Sequence, residues 1–134
     1  MDRKIRWLNL RELTGAALLL VLFLAGMLSA WYMDRQHTGI SRELEDSAWM
    51  ALTGQWENAK AEALKAKSRW EENWDFRAVF GDHTPMEEID DLFEELTIYA
   101  AAGERTEFAR ICAALAVRVA AMGSAHQLRW QNIL

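Results

Sequence analysis

The chain has 134 residues, is 51% hydrophobic and carries a net charge of −5, which on length alone means one small domain or a small domain plus an appendage. One Pro, seven Gly and one Cys exclude collagen-like, low-complexity and disulfide-scaffold classes, and a lone thiol, Cys112, builds no intramolecular disulfide and no cysteine zinc site. Seven Trp argue against disorder, and the acidic balance argues against nucleic acid as a general partner, because neutralising phosphates takes clustered Lys and Arg.

The first element is apolar. Residues 13–33 read LTGAALLLVLFLAGMLSAWYM without a charge. At ~1.5 Å per residue this run spans about 31 Å, matching a hydrocarbon core of roughly 30 Å. Trp7 stands before it and Trp31 and Tyr32 at its far end, as an aromatic belt would. Arg3, Lys4, Arg6 and Arg11 precede the run, and only Arg35 and Arg42 follow it closely. That bias predicts a cytoplasmic basic foot over 1–12, a transmembrane helix over 13–33 and an extracytoplasmic domain over 34–134. A cleaved signal peptide needs small residues at −3 and −1; cutting after Ala30 or Ser29 puts Leu28 or Met27 at −3, so a retained anchor is expected. Residues 34–134 carry 11 Lys/Arg against 18 Asp/Glu, an acidic domain outside a basic foot.

Beyond the run the pattern is helical. Ile40, Leu44, Ala48 and Leu52 predict a first short helix ended by Gly54. Trp56, Ala59, Ala63, Ala66, Trp70 and Asn73 or Trp74 form the stripe of a second, longer helix. Phe80 to Pro85 break the pattern. Thr84 as cap, Pro85 at the first helical position and Glu87 closing a capping box predict a third helix, with Met86, Ile89, Phe93, Leu96 and Ala100 as its apolar stripe and Gly103 as its end. Phe108, Ile111, Leu115, Val119 and Met122 predict a fourth, ended by Gly123. The last eleven residues finish Leu-Arg-Trp-Gln-Asn-Ile-Leu, too apolar for a free tail. The fold class expected is all-α: a single N-terminal transmembrane helix, then an antiparallel bundle of about four helices arranged as hairpins. Residues 52–59 resemble a tetratricopeptide turn, but the next such Gly comes 49 residues later rather than at the required ~34-residue period.

The order of features supports a family resemblance. An N-terminal anchor, Gly-x-Trp-Glu-x-Ala at 54–59, Trp70 and Trp74 come first. Phe80, Asp82 and His83 follow, then an acidic helix with Ile89 and Leu92, and a terminal Asn132-Ile133-Leu134. This resembles the bacterial domain-of-unknown-function family 4363, small membrane-anchored helical proteins of Firmicutes. Two features depart from it: Thr84-Pro85 extends the loop, and the fourth helix is richer in Ala. The resemblance implies no assigned activity, and gene neighbourhoods in that family imply a multipass membrane partner.

Each tempting residue has a plain reading beside it. Asp82 and His83 read as fixing the interhelical loop, because no second His lies at metal-ligand spacing. The acidic residues from Glu87 to Glu95 fill the polar positions of an amphipathic helix and read as a solvated face. Trp49, Trp56, Trp70 and Trp74 read as core, with Trp74 the first choice for exposure; an exposed Trp would anchor an interface. Trp130 joins Trp56, Trp70, Trp74, Asp82 and His83 as a candidate interaction or loop-fixing residue. Cys112 reads as a buried thiol. The sequence holds no Walker loop, dinucleotide fingerprint or HExxH motif. No catalytic residue, cofactor or metal is expected. The expected function is a non-enzymatic scaffold or accessory subunit presented to another membrane protein, with the lipid bilayer as partner; the alternative is an extracytoplasmic sensor with an aromatic ligand pocket.

Overall fold

The computed structural model describes residues 10–73 and 83–131, with side chains over 11–73 and 84–124. Four α-helices make up the described chain: α1 (Leu10–Leu52), α2 (Trp56–Glu72), α3 (His83–Ala102) and α4 (Arg105–Gln131). The protein is all-α. It divides into two compact units, residues 1–33 and 34–134.

In the first unit α1 carries the charge-free run, and its large apolar side chains up to Tyr32 face outward. Leu13, every large apolar residue from Leu18 to Leu24, and Met27, Leu28, Trp31 and Tyr32 are exposed, Phe23 at 61%. The helix is long and apolar enough to cross a membrane.

The short helix expected near Ile40 is instead the far part of α1, which continues without a break through residues 34–39. Nothing there stops a helix, and the Thr38 hydroxyl donates to the Asp34 carbonyl one turn back at 2.9 Å. Its buried stripe also differs from the expected one. The side chains turned inward are Ile40, Ser41, Leu44, Ser47 and Ala51. At 3.6 residues per turn, steps of four overshoot, so Leu52 sits about 120° around from Ile40 whereas Ala51 is within about 20°. Leu52 is accordingly exposed. Trp49 lies on the opposite face from Ile40 and is 69% exposed, a correction to its assignment as core.

Two turns of one design close the hairpins. Gly54 and Gly103 adopt φ of +87° and +72°. In each, the next residue's N–H reaches back five residues, Gln55 to the Met50 carbonyl at 2.9 Å and Glu104 to Tyr99 at 3.1 Å. This is the Schellman closure, and the left-handed position favours Gly because a Cβ there is strained. α3 begins at His83, so Thr84 lies inside its first turn rather than at its cap. The helix takes Pro85 without loss because first-turn N–H groups have no intrahelical acceptor. α4 does not end at Gly123 but runs on to Gln131.

Within residues 34–134 every neighbouring pair is antiparallel. Gln36 and Glu43 of α1 face Arg69 of α2. Lys67 and Trp70 of α2 face Glu94 and Asp90 of α3. Glu88 and Glu95 of α3 meet Arg118 and Arg110 of α4. Ser41 and Ser47 of α1 reach Ala116 and Cys112 of α4. The core these helices share follows the expected stripes: Ala59, Ala63, Ala66 and Trp70 on α2, Ile89, Phe93 and Leu96 on α3, Phe108, Ile111, Leu115 and Val119 on α4. The small residues in the middle of α2 let its neighbours approach, as the Trp-Ala-Ala-Ala-Trp spacing implied. Ala59 comes close enough for its carbonyl to accept the Ser47 hydroxyl at 2.7 Å.

Candidate functional site

The part of α1 just beyond the apolar run presents polar residues on two faces. One face is pinned to α2. Gly39 leaves room for the Arg69 guanidinium, whose Nη2 lies 2.8 Å from where a Cβ at residue 39 would stand. Arg69 there donates to Glu43 Oε1 at 2.6 Å and to Gln36 Oε1 at 2.8 Å. Glu43 also pairs with Lys65 at 3.3 Å and holds that ammonium above its ordinary pKa, chiefly by hydrogen bonding. A Gly inside a helix costs about 1 kcal/mol against Ala, and a clamp across about two turns of α1 is what the missing side chain allows.

The other face looks toward α4. Asp34, His37, Thr38, Ser41, Arg42 and Glu45 follow one another at helical spacing and line an open cleft of about 230 Å³, closed on the far side by Ala120 and Gly123. His37 is only 2% exposed, with its ring 6.3 Å from that of Trp70. Gly123 sits directly against it: a Cβ there would lie 3.4 Å from His37 Cβ and 3.5 Å from Asp34 Oδ1. The glycine expected to end the fourth helix is therefore a point of close approach. Asp34, Arg42 and Glu45 hold no ion pair and no side-chain hydrogen bond to another side chain among the described residues, whereas Arg69, Arg110 and Arg118 are each paired.

The chain matches the family model described as Domain of unknown function (DUF4363) over residues 29–133. It belongs to this family. The match opens within the last turns of the apolar run, so the DUF4363 unit comprises the helical bundle and leaves out most of that run. No curated protein and no solved structure matches the chain.

The tryptophans of this DUF4363 protein divide by position. Trp70 is 1% exposed; its indole N–H donates to Asp90 Oδ1 at 2.6 Å and its ring tilts against Phe93 at 6.2 Å. Trp56 is half-buried, edge-on to Phe108 at 4.9 Å, with Lys60 and Arg105 over its ring. Trp74 and Asp82 lie outside the described residues. His83 and Trp130 stand on α3 and α4, with their side chains outside the described set. The acidic residues of α3 alternate between solvent and ion pairing: Glu88 meets Arg118, Glu94 meets Lys67 and Glu95 meets Arg110. Among the described residues no cluster of His, Cys, Asp and Glu has the arrangement of a metal site.

The buried nucleophile types are occupied with packing. Ser41 donates to the Ala116 carbonyl at 2.9 Å, and Ser47 sits 3.5 Å from Cys112 Sγ. In sequence these two serines merely interrupt an apolar stripe; their helical spacing with Ile40 and Leu44 is the one signal that places them inside. Burial pushes the Cys112 thiol up to about 11, against a smaller opposing pull from Ser47. The native thiol therefore stays neutral at pH 8. Alkylation of Cys112 by iodoacetamide at that pH is expected to run about a hundredfold slower in the folded protein than in urea, from the two-unit rise alone. The folded pKa being raised, stability is unaffected by this group below about pH 9 and falls between about 9 and 11. Equal rates in folded and unfolded protein would show Cys112 to be open and reactive.

Proposed function

We propose that this protein is a non-enzymatic, single-span protein of the cytoplasmic membrane, with its N-terminus inside and the helical domain outside, acting as a scaffold or accessory subunit for another membrane protein. The observation that carries the reading is the outward-facing, charge-free stretch of α1. A surface of this extent and apolarity is stable in lipid and not in water. Inside-out order is supported by the four cations before the run against two after it. A non-catalytic role is supported by the engagement of Ser41 and Ser47 with backbone carbonyls and by the neutral Cys112. The bundle is joined by interhelical ion pairs and a filled aromatic core, which suits a rigid presented surface better than a ligand-enclosing pocket.

Topology is testable with an exposed reporter. Asp46 is exposed on α1, so Asp46→Cys in a Cys112→Ala background should react with a membrane-impermeant maleimide in intact cells. Labelling only after lysis would reverse the orientation. Mild-detergent purification should bring down a stoichiometric membrane protein with the chain; recovery of the chain alone from cells expressing it at native level would remove the scaffold reading.

A further inference from the structure

Three of the four junctions around the bundle are bridged by charge. Glu43 of α1 holds Lys65 and Arg69 of α2. Lys67 of α2 meets Glu94 of α3, and Glu88 and Glu95 of α3 meet Arg118 and Arg110 of α4. Between α4 and α1 the polar contacts are those of Ser41 and Ser47, and no ion pair forms there among the described residues. Arg42 and Glu45 are left over on the outer face of α1, both exposed and neither paired with a described residue.

The same face carries exposed apolar surface. Trp49 and Leu52 stand one turn apart on it, 69% and 63% exposed. On α2, α3 and α4 the exposed large apolar residues among those described stand singly, Leu64, Ile98 and Val117, which is ordinary for a protein surface. With Thr38, the outward residues of α1 fall at 38, 42, 45, 49 and 52, all exposed. Steps of four and three are the seam of a two-stranded coil. α1 thus has two seams of one period: Ile40, Leu44, Ser47 and Ala51 are buried in the bundle, and the outer one is bare.

We propose that the outer seam of α1 packs in parallel against the same seam of a second copy of the chain. The pairing goes beyond the scaffold reading and holds on whichever side of a membrane the domain stands. The seam is its own complement. Arg42 and Glu45 are opposite in sign and adjacent along it, so two copies in register set each Arg42 beside Glu45 of the second copy, twice by symmetry. Each seam side chain inserts among residues of the facing helix in its own layer and the neighbouring ones, which is the step from 42 to 45. Trp49 and Leu52 then meet their own counterparts, apolar on apolar, and leave water together. An antiparallel pair centred on the same charges sets Trp49 on Thr38 and Leu52 on Arg35, apolar on polar, so the parallel order is the favoured one. Charged layers within a seam cost stability but fix its register and direction. Residues 38–52 cover about 21 Å at ~1.5 Å per residue, short beside the three or four heptads of a sustained coiled coil. The pairing is therefore weak and reversible, and a covalent trap suits it.

The test uses the full chain in isolated membranes, with Cys112→Ala removing the native thiol. Leu52→Cys should give a disulfide-linked dimer on mild oxidation, because facing seam positions come within the Cα separation of about 7 Å that a disulfide can span. Leu64→Cys, comparably exposed on α2, should not. Adding Arg42→Glu to Leu52→Cys should slow cross-linking roughly tenfold, since like charges then face each other, and Arg42→Glu with Glu45→Arg should restore it to within about twofold. These side chains are exposed, so melting of the bundle should be the same in every variant. Equal cross-linking at Leu64→Cys and Leu52→Cys, or a rate indifferent to Arg42→Glu or unrestored by the swap, overturns the proposal. An adduct of another mass in place of the dimer also overturns it, by putting a different protein on this face. So does preferential joining of co-produced Trp49→Cys and Thr38→Cys chains to each other, which is the antiparallel order.

Discussion

Replacing Trp70 with alanine is expected to bring the helical domain close to unfolding. Its ring is 1% exposed, lies between Phe93 and His37, and ties α2 to α3 through the bond to Asp90. Removing a buried aromatic costs about 3–5 kcal/mol, against a total stability of roughly 5–15 kcal/mol for a domain of this kind. At roughly 4–8 °C per kcal/mol for a small domain, the melting temperature should fall by more than about 12 °C. Trp70→Phe keeps most of the packing and deletes the indole donor, so it should cost about 1.5–3 kcal/mol, the value of a hydrogen bond to a charged group. Trp56→Ala should cost less than Trp70→Ala, because Trp56 is half-buried and loses an edge contact with Phe108 and two cation contacts at the surface rather than a buried hydrogen bond. Thermal and urea unfolding of the full chain in detergent, followed by near-ultraviolet circular dichroism, reads all three. A shift of a degree or two in Trp70→Ala would mean that the residue does not hold the bundle together.

Charging the apolar run should remove the protein from the membrane. Leu19 and Leu22 lie on neighbouring turns of α1 and are both exposed. An arginine near the centre of a span costs about 2.5–3.5 kcal/mol on insertion scales, and Leu19→Arg with Leu22→Arg doubles that while also forfeiting the apolar gain of two leucines. The double variant should move from the carbonate-resistant pellet to the soluble fraction. The matched Leu19→Ala, Leu22→Ala variant should stay in the pellet, since alanine leaves the run uncharged. These side chains lie outside the shared core, so melting of the bundle should be the same in both variants. Carbonate-resistant association of the arginine variant at wild-type level would be incompatible with a span over residues 13–33.

Trp56, Trp70 and the apolar run are legible in the sequence, and for the same reason. Each belongs to a local pattern with a period or a length. A charge-free stretch of 21 residues needs no tertiary information to be too long and too apolar for a small core. The stripes of α2, α3 and α4 repeat every three or four residues strongly enough that spacing alone places Ala59, Ala63, Ala66, Ile89, Phe93, Ile111 and Leu115 inside. Gly54 and Gly103 read as helix ends because the left-handed turn that closes each hairpin is a backbone demand of a few residues.

Tertiary packing decided the rest. Gly123 has the same side chain as Gly54 and Gly103, yet it lies inside α4, because what it answers is His37 and Asp34 on another helix. Gly39 is likewise explained only by Arg69, thirty residues away. On α1, spacing by four selects Leu52 and leaves Trp49 among the core aromatics. The angular drift of a real helix turns Ala51 inward and both larger residues out, and Ser47 takes a buried place because Ala59 and Cys112 stand opposite it. The cleft is the clearest instance: Asp34, His37, Ser41, Arg42 and Glu45 are an ordinary polar helix face in sequence. They line a cleft only because α4 meets them with Ala120 and Gly123, two residues too small to fill the space. Sequence determined which segments are helical, which faces are apolar and which stretch is long and apolar enough to cross a membrane, since those follow from composition and period along one stretch of chain. Which helix lies against which face, and hence which polar groups are paired across the bundle, depends on contacts between residues far apart in the chain, and no local period encodes them.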